Sequence, residues 1–295
     1  MRAQQAAAAS SAIEQARLFQ QTPATPVAPV DENGNAIGSN SDTSGDDSFG
    51  AQVLLKDQER VRPFTLSAGA TGYGTSNVAL TRRHAQSDAF VIADASASWN
   101  RGLSPELQMI LGLQASTFRY DEFSGLDFDS FGGGTGLSWT PRRWSGVNIF
   151  GRYDFTELLN RDGDEILRDH QFTFGAQKVF ALGRSHAVTT GLLGAVGIST
   201  PFAAQRDGVG PFVGYQLRLA RALETGVFYR LSYYLYTSGN RQDLNQAFSW
   251  NLRYHFNDWA EADAYFSFGA NRSNASAFDY EVVSGGGGVG FTVRF

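Results

Sequence analysis

The sequence predicts an all-β chain, an antiparallel up-and-down barrel of about twelve strands, following a largely disordered N-terminal extension. Three observations predict it. From Pro63 onward, segments of about 10–14 residues alternate apolar side chains with small or polar ones, the period of two that marks strands. The connections alternate between tight and longer ones, with no helical crossover. The last residues, "GGGGVGFTVRF", carry the same alternation to the chain end, where Val289, Phe291, Val293 and Phe295 share one face.

The strand segments are expected near 64–75, 87–100, 105–119, 127–140, 144–158, 168–181, 186–199, 207–220, 222–237, 242–256, 259–272 and 279–295. In "ETGVFYRLSYYLY" one face carries Val227, Tyr229, Leu231, Tyr233 and Leu235, and the other Gly226, Phe228, Arg230, Ser232 and Tyr234. In "NQAFSWNLRYHF", Phe248, Trp250, Leu252, Tyr254 and Phe256 oppose Ser249, Asn251, Arg253 and His255. The tight connections are "NRGLSP", "TPRRWS", "ALGRSH", "RAL" and "FNDW"; "TELLNRDGDEILRD" and "ANRSNASAFD" read as longer loops.

Residues 1–62 differ from this body. Residues 3–21 are rich in Ala and Gln and suit one helix. The stretch "TPATPVAPVDENGNAIGSNSDTSGDDS" has almost no large apolar residue, cannot bury a core, and reads as a flexible linker. In "FGAQVLLKDQERVRP", Phe49, Val53, Leu54 and Leu55 stand among charges. Residues 49–62 are therefore expected to pack into or across the barrel mouth beside the tight turns. The chain thus divides into an extension, 1–62, and a barrel, 63–295.

A soluble sandwich or lipocalin-like barrel would also alternate, but three features favour lipid around this one. The segments exceed the usual length of soluble strands. The polar face is Gly, Ser, Thr, Gln, Asn and Tyr with occasional Arg and Asp, not the Lys- and Glu-rich face of a solvated sheet; Lys56 and Lys178 are the sole lysines. The apolar face continues on every strand, as an outward, lipid-facing surface requires. Trp99, Trp139, Trp144 and Trp259 all sit beside tight turns, as an interfacial girdle would.

Bulk properties exclude several functions. Net charge is −5 with no basic stripe, which argues against a nucleic-acid partner. No cysteine is present, so disulfides, thiolate metal sites and cysteine nucleophiles are ruled out. No motif calls for a cofactor. The best uncharged run, Ala187 to Thr200, is too short for a spanning helix. The N-terminus lacks a leucine-rich core and makes a poor signal peptide, so the chain is either cytosolic or the mature product of signal removal.

The body, residues 63–295, resembles the outer-membrane β-barrel proteins of Gram-negative-type bacteria, on the strength of its alternating strands and its "VGFTVRF" ending. It also resembles a family of such barrels in which "DDSFG", the "LKDQERVRPF" entry and "NVALTRR" recur, and which implies no particular activity. The resemblance implies an outer-membrane location with the signal peptide removed and outer-membrane lipids as surroundings. It implies tight turns and both termini on the periplasmic side. Val289, Phe291, Val293 and Phe295 would then be the signal read by the barrel-assembly machinery. The extension could dock a periplasmic protein or plug the pore.

Candidate functional residues line the polar face: Asp94, Arg152, Asp154, Arg218, Arg230, Arg253, Glu261, Asp263 and Arg294. They form either a charged constriction that selects solutes or an internal network that braces the barrel. Twelve strands tilted by about 40° enclose a backbone radius of roughly 12 Å. Inward glycines, Gly132, Gly134 and Gly136 and again Gly286, Gly288 and Gly290, are expected to leave space. His84, His170, His186 and His255 show no spacing of a hydrolase site, and no enzyme is predicted. Asp162 and Asp164 flank Gly163 in a weak calcium-like loop that lacks a distal Glu. The reading is a narrow channel for small or oligomeric polar solutes, or else a structural or assembly component.

Overall fold

A computed structural model describes Ile13 and residues 63–144, 146–183 and 185–295. Among these residues, twelve strands run in sequence: β1 (Phe64–Thr75), β2 (Asp88–Gly102), β3 (Leu107–Tyr120), β4 (Phe128–Trp139), β5 (Val147–Asn160), β6 (Glu165–Ala181), β7 (His186–Thr200), β8 (Arg206–Ala220), β9 (Leu223–Tyr236), β10 (Gln242–His255), β11 (Ala260–Ser273) and β12 (Tyr280–Arg294). Each pairs antiparallel with its neighbours, and β12 pairs back onto β1 to close the ring. Residues 49–62, expected at a mouth, lie outside the described residues.

Outward and inward positions follow the alternation. On β9, Tyr229, Tyr233 and Leu235 are exposed while Ser232, Tyr234 and Tyr236 are buried. On β3, Leu111 and Leu113 face out, and Phe118 and Tyr120 are buried inside.

Polar side chains close the turns. Asn257 Oδ1 accepts from the backbone N–H of Trp259 and Ala260, both at 2.9 Å, between β10 and β11. Ser104 Oγ does the same for Glu106 and Leu107 between β2 and β3. One expectation is corrected. "TELLNRDGDEILRD" is not a long loop: β5 and β6 extend to Asn160 and from Glu165, leaving residues 161–164 as the turn. Asn160 Oδ1 accepts from the N–H of Asp162 at 3.0 Å and Asp164 at 2.8 Å, and Gly163 takes φ +87°. That turn lets the flanking polar residues stay in strands.

The seam between β1 and β12 joins the first strand to the last. Phe64 and Phe295 exchange backbone hydrogen bonds at 3.1 and 3.0 Å, and their rings stack at 5.7 Å. Gly286 and Gly288 are needed there. A Cβ on Gly286 would overlap the Gly72 carbonyl, and one on Gly288 the Thr71 hydroxyl and Ala70 carbonyl. The β4 glycines leave less space than expected, because Gln114 lies over Gly132 and Asp154 over Gly134.

Candidate functional site

The outer surface is banded. Trp139, Trp144 and Trp259 are exposed near the tight turns, with Trp139 and Trp144 5.8 Å apart and Trp259 stacked on Phe291 at 5.9 Å. Trp99 lies in the same layer, opposite Phe64 in the β1–β2 register. Toward the other end, outward ion pairs begin: Arg119 with Asp129 at 2.7 Å, Arg168 with Glu157 at 3.0 Å, and Arg272 with Glu281. On β3 the ten steps from Met109 to Arg119, at about 3.3 Å each and a tilt of about 40°, span roughly 25 Å. That is the height of an apolar band facing lipid.

The lumen divides into two halves. In the half next to the tight turns, inward polar side chains meet solvent: Asp94, Ser96, Asn100, Gln114, Gln216 and Arg253 are all exposed. Candidate charges gather there in pairs. Arg152 binds Asp154 on its own strand at 2.6 Å. Arg218 binds Glu224 at 3.2 Å, and Arg253 binds Glu261 at 3.5 Å. His255 stands 3.4 Å from Glu261 and 3.9 Å from Glu224.

The register explains this ladder. Glu224 is opposite Arg218 on one side and Arg253 on the other; it pairs with Arg218 and comes within 3.9 Å of His255, while Arg253 pairs with Glu261. Glu224 and His255 were not among the candidate residues. The signal was an inward carboxylate directly across a short turn from an inward Arg.

Asp94 is opposite Gly69 and Asp263 opposite Gly288, so the two carboxylates flank the glycine seam. Arg230 lies inward on β9, opposite Ala247, and Arg294 is exposed at the end of β12. The candidate charges are thus all inward, but they do not converge on one point.

The half next to the longer connections is packed. Phe90, Ile92, Phe118, Tyr120, Phe128, Leu158 and Leu167 form one buried inward cluster with Val78 and Ala204 from the connections. Phe118 and Phe128 stack at 4.2 Å, and Phe90 and Tyr120 lie at 5.0 Å. Opposite, the filling is polar. The Arg206 guanidinium lies 4.0 Å over Tyr234 and donates to the Tyr236 hydroxyl at 3.1 Å. Arg241 lies between Tyr236 and Phe278 and is paired with Asp243, which is 1% exposed and also accepts from Asn271 at 2.9 Å.

The connections fold in to hold this end. Asp88 accepts from the N–H of Glu122 and Phe123, both at 3.1 Å. In "NVALTRR", the Asn77 amide donates to the Thr81 and Glu281 carbonyls at 2.8 and 2.9 Å, and Val78 is fully buried.

The histidines disperse. His170 is bonded to Tyr153 at 2.8 Å on the outer face, while the adjacent Asp169 turns inward and accepts from Ser199 at 2.6 Å. His186 bonds Tyr215 at 2.8 Å, and His84 sits in a connection at φ +59°. Asp162 and Asp164 lie in the Asn160 turn described above, where the Asp164 carboxylate accepts from the Asn160 amide at 3.3 Å. Among the described residues, no group of three or more His, Asp or Glu side chains has metal-binding geometry.

No family model matches the chain, and no curated protein matches it. Among solved structures, it is similar to the COG4313 outer membrane channel from Pseudomonas putida F1, at TM-score 0.55 and 9% identity over 79% of this chain and 96% of that one. The fold is that of the bacterial outer-membrane β-barrels. The translocator domain of autotransporter NalP from Neisseria meningitidis (TM-score 0.46, 10% identity, 79% of this chain and 90% of that one) is more distant. So is the KdgM porin (TM-score 0.40, 10% identity, 76% and 98%). At such identities the likeness concerns architecture alone.

Proposed function

We propose that this outer-membrane-type barrel is a narrow channel for small polar solutes, resident in the outer membrane with its tight turns toward the periplasm. One observation carries the reading. On β2, β3, β8 and β10 the half next to the tight turns has exposed inward polar side chains, and its walls bear paired charges of both signs, while Ser138, Asn148, Gln177 and Thr189 on β4–β7 are buried. A lumen built only for bracing has no need to hydrate Asp94, Gln114 and Gln216. Alternating Arg and Glu around a mouth favours solutes that exchange hydrogen bonds with both signs, such as hydroxyl-rich or zwitterionic molecules.

The experiment is single-channel recording of the purified full chain in planar bilayers, with ion selectivity measured for the wild type and for Arg253→Glu. A charge-lined pore should shift toward cations in the variant. Unchanged selectivity in a conducting pore would remove the ladder from the pathway.

The outward row Val289, Phe291, Val293 and Phe295 is proposed as the signal read by the assembly machinery. Its support is its position: all four are exposed and end at the seam. Deleting Phe295 should sharply lower membrane insertion in cells; normal insertion would make the row a lipid-facing surface only.

A further inference from the structure

The packed half has two unlike sectors. Its aromatic and aliphatic filling comes from β2 to β6, with Phe90, Phe118, Phe128, Leu158 and Leu167. From β8 to β12 the filling is polar, and β10 carries that polarity without a break. Upward from Arg253 its inward side chains are Asn251, Ser249, Ala247, Asn245 and Asp243, none of them apolar and larger than alanine. Exposure falls along this column. Arg253 is exposed, Asn251, Ser249 and Ala247 are half-buried, and Asn245 and Asp243 are buried. At its dry end one acceptor is unspent. The Asn271 amide donates to the Asp243 carboxylate and to the Phe278 carbonyl, both at 2.9 Å, so its orientation is fixed and its Oδ1 accepts. The Asn245 amide donates to that oxygen at 3.4 Å and to the Tyr280 hydroxyl at 3.2 Å. Asn245 Oδ1 is left buried, with no donor among the described residues. Such an atom gains a hydrogen bond as soon as water or a solute hydroxyl reaches it. Parting the aromatic sector would instead expose hydrocarbon to water.

We propose that the packed half opens along β10, and that Asn245 is the specificity-determining residue of the passage, its Oδ1 accepting hydrogen bonds from the passing solute. The column supplies the approach: small or polar side chains lead from the Arg253–Glu261 pair to Asn245, and Gly269, opposite Ala247, adds no side chain to narrow it. Beyond Asn245 stands a second acceptor, the Asp243 carboxylate, held by Arg241 at 3.0 Å and by Asn271. Two acceptors in series favour solutes that donate, hydroxyl-rich or cationic, over anions. The consequence for transport rests on the channel reading above; the opening along β10 does not.

The test uses the purified full chain, whose lack of cysteine makes an introduced thiol unique. In the folded, heat-modifiable barrel, Asn245→Cys should react with a small water-soluble methanethiosulfonate several-fold faster than Leu158→Cys, although both positions are buried. Equal rates, or faster reaction at Leu158, overturn the opening along β10. In planar bilayers, Asn245→Asp should raise the cation-to-anion permeability ratio several-fold, and Asn245→Leu should lower conductance several-fold. The volume-conserving Leu158→Met should match wild type in both. Wild-type conductance and selectivity in both Asn245 variants overturn Asn245 as the determinant. Fast labelling of Asn245→Cys with no conductance in any chain leaves the opening standing and removes the channel reading.

Discussion

The two halves of the lumen are built from the same strands yet obey opposite rules. Next to the tight turns, many inward positions are small, polar or charged, and exposed ion pairs join them, although Phe150 and Phe228 also point inward there and Gln177 and Thr189 are buried. Next to the longer connections inward positions are aromatic, aliphatic or stacked guanidinium, and dry. Rigidity therefore lies at the packed end, while the other end is free to vary its charges at little cost to the fold. Exposed ion pairs contribute at most about 1 kcal/mol each, whereas a buried aromatic in a packed cluster contributes several times that.

The largest test of this contrast is a carboxylate placed in each half. Phe128→Asp, at a fully buried position stacked on Phe118, should cost about 3–5 kcal/mol. Gln114→Glu, in the wet half, should cost under about 0.5 kcal/mol. Urea midpoints in detergent would measure both, and similar costs would abolish the distinction.

Next in size is the difference between lipid and water. Leu231→Arg on the outer face of β9 should cost about 2–4 kcal/mol near the bilayer midplane. Ser96→Arg, exposed inside, should be close to neutral. Ser232 is not an equivalent comparator although it also faces inward, because it is 6% exposed and lies in the packed half.

A smaller effect separates two adjacent glycines at the seam. Gly286→Ala should cost about 1–3 kcal/mol, because its Cβ has no room against the Gly72 carbonyl. Gly285→Ala should be tolerated, its nearest contact being the Tyr265 carbonyl at 3.5 Å. Smallest of all, Arg253→Gln should leave the urea midpoint nearly unchanged while altering ion selectivity. A large loss of stability there would mean that the ladder braces the barrel.

Strand number, pairing order and the outward face were legible because a period of two is a local property, present in every ten residues. The placing of Trp139, Trp144 and Trp259 beside tight turns was legible because turns are local too. The packed half was not, and its sign was there to read. At that end both faces become apolar, as in Phe90–Val91–Ile92, Leu158–Leu159, Ile166–Leu167 and Tyr233–Tyr234–Leu235–Tyr236. Alternation treats such runs as noise, yet a doubly apolar strand end means that something covers the inside as well. The Glu224 ladder stayed hidden for another reason. It depends on the register between three strands, which no single segment specifies.

The join of Phe64 to Phe295 also governs the order of assembly. Eleven of the twelve ladders link neighbours in sequence, and each can zip as soon as its own hairpin has formed. The twelfth brings Ser67 to Thr292, 225 positions away, and cannot begin until the last residues have been synthesised. Until then the sheet has two bare edges, β1 and β12, each able to recruit a strand from another molecule. Ring closure is thus the long-range, slow event of folding. In the closed ring the glycines of β12 are what let the two edges meet, since a Cβ on Gly286 would overlap the Gly72 carbonyl.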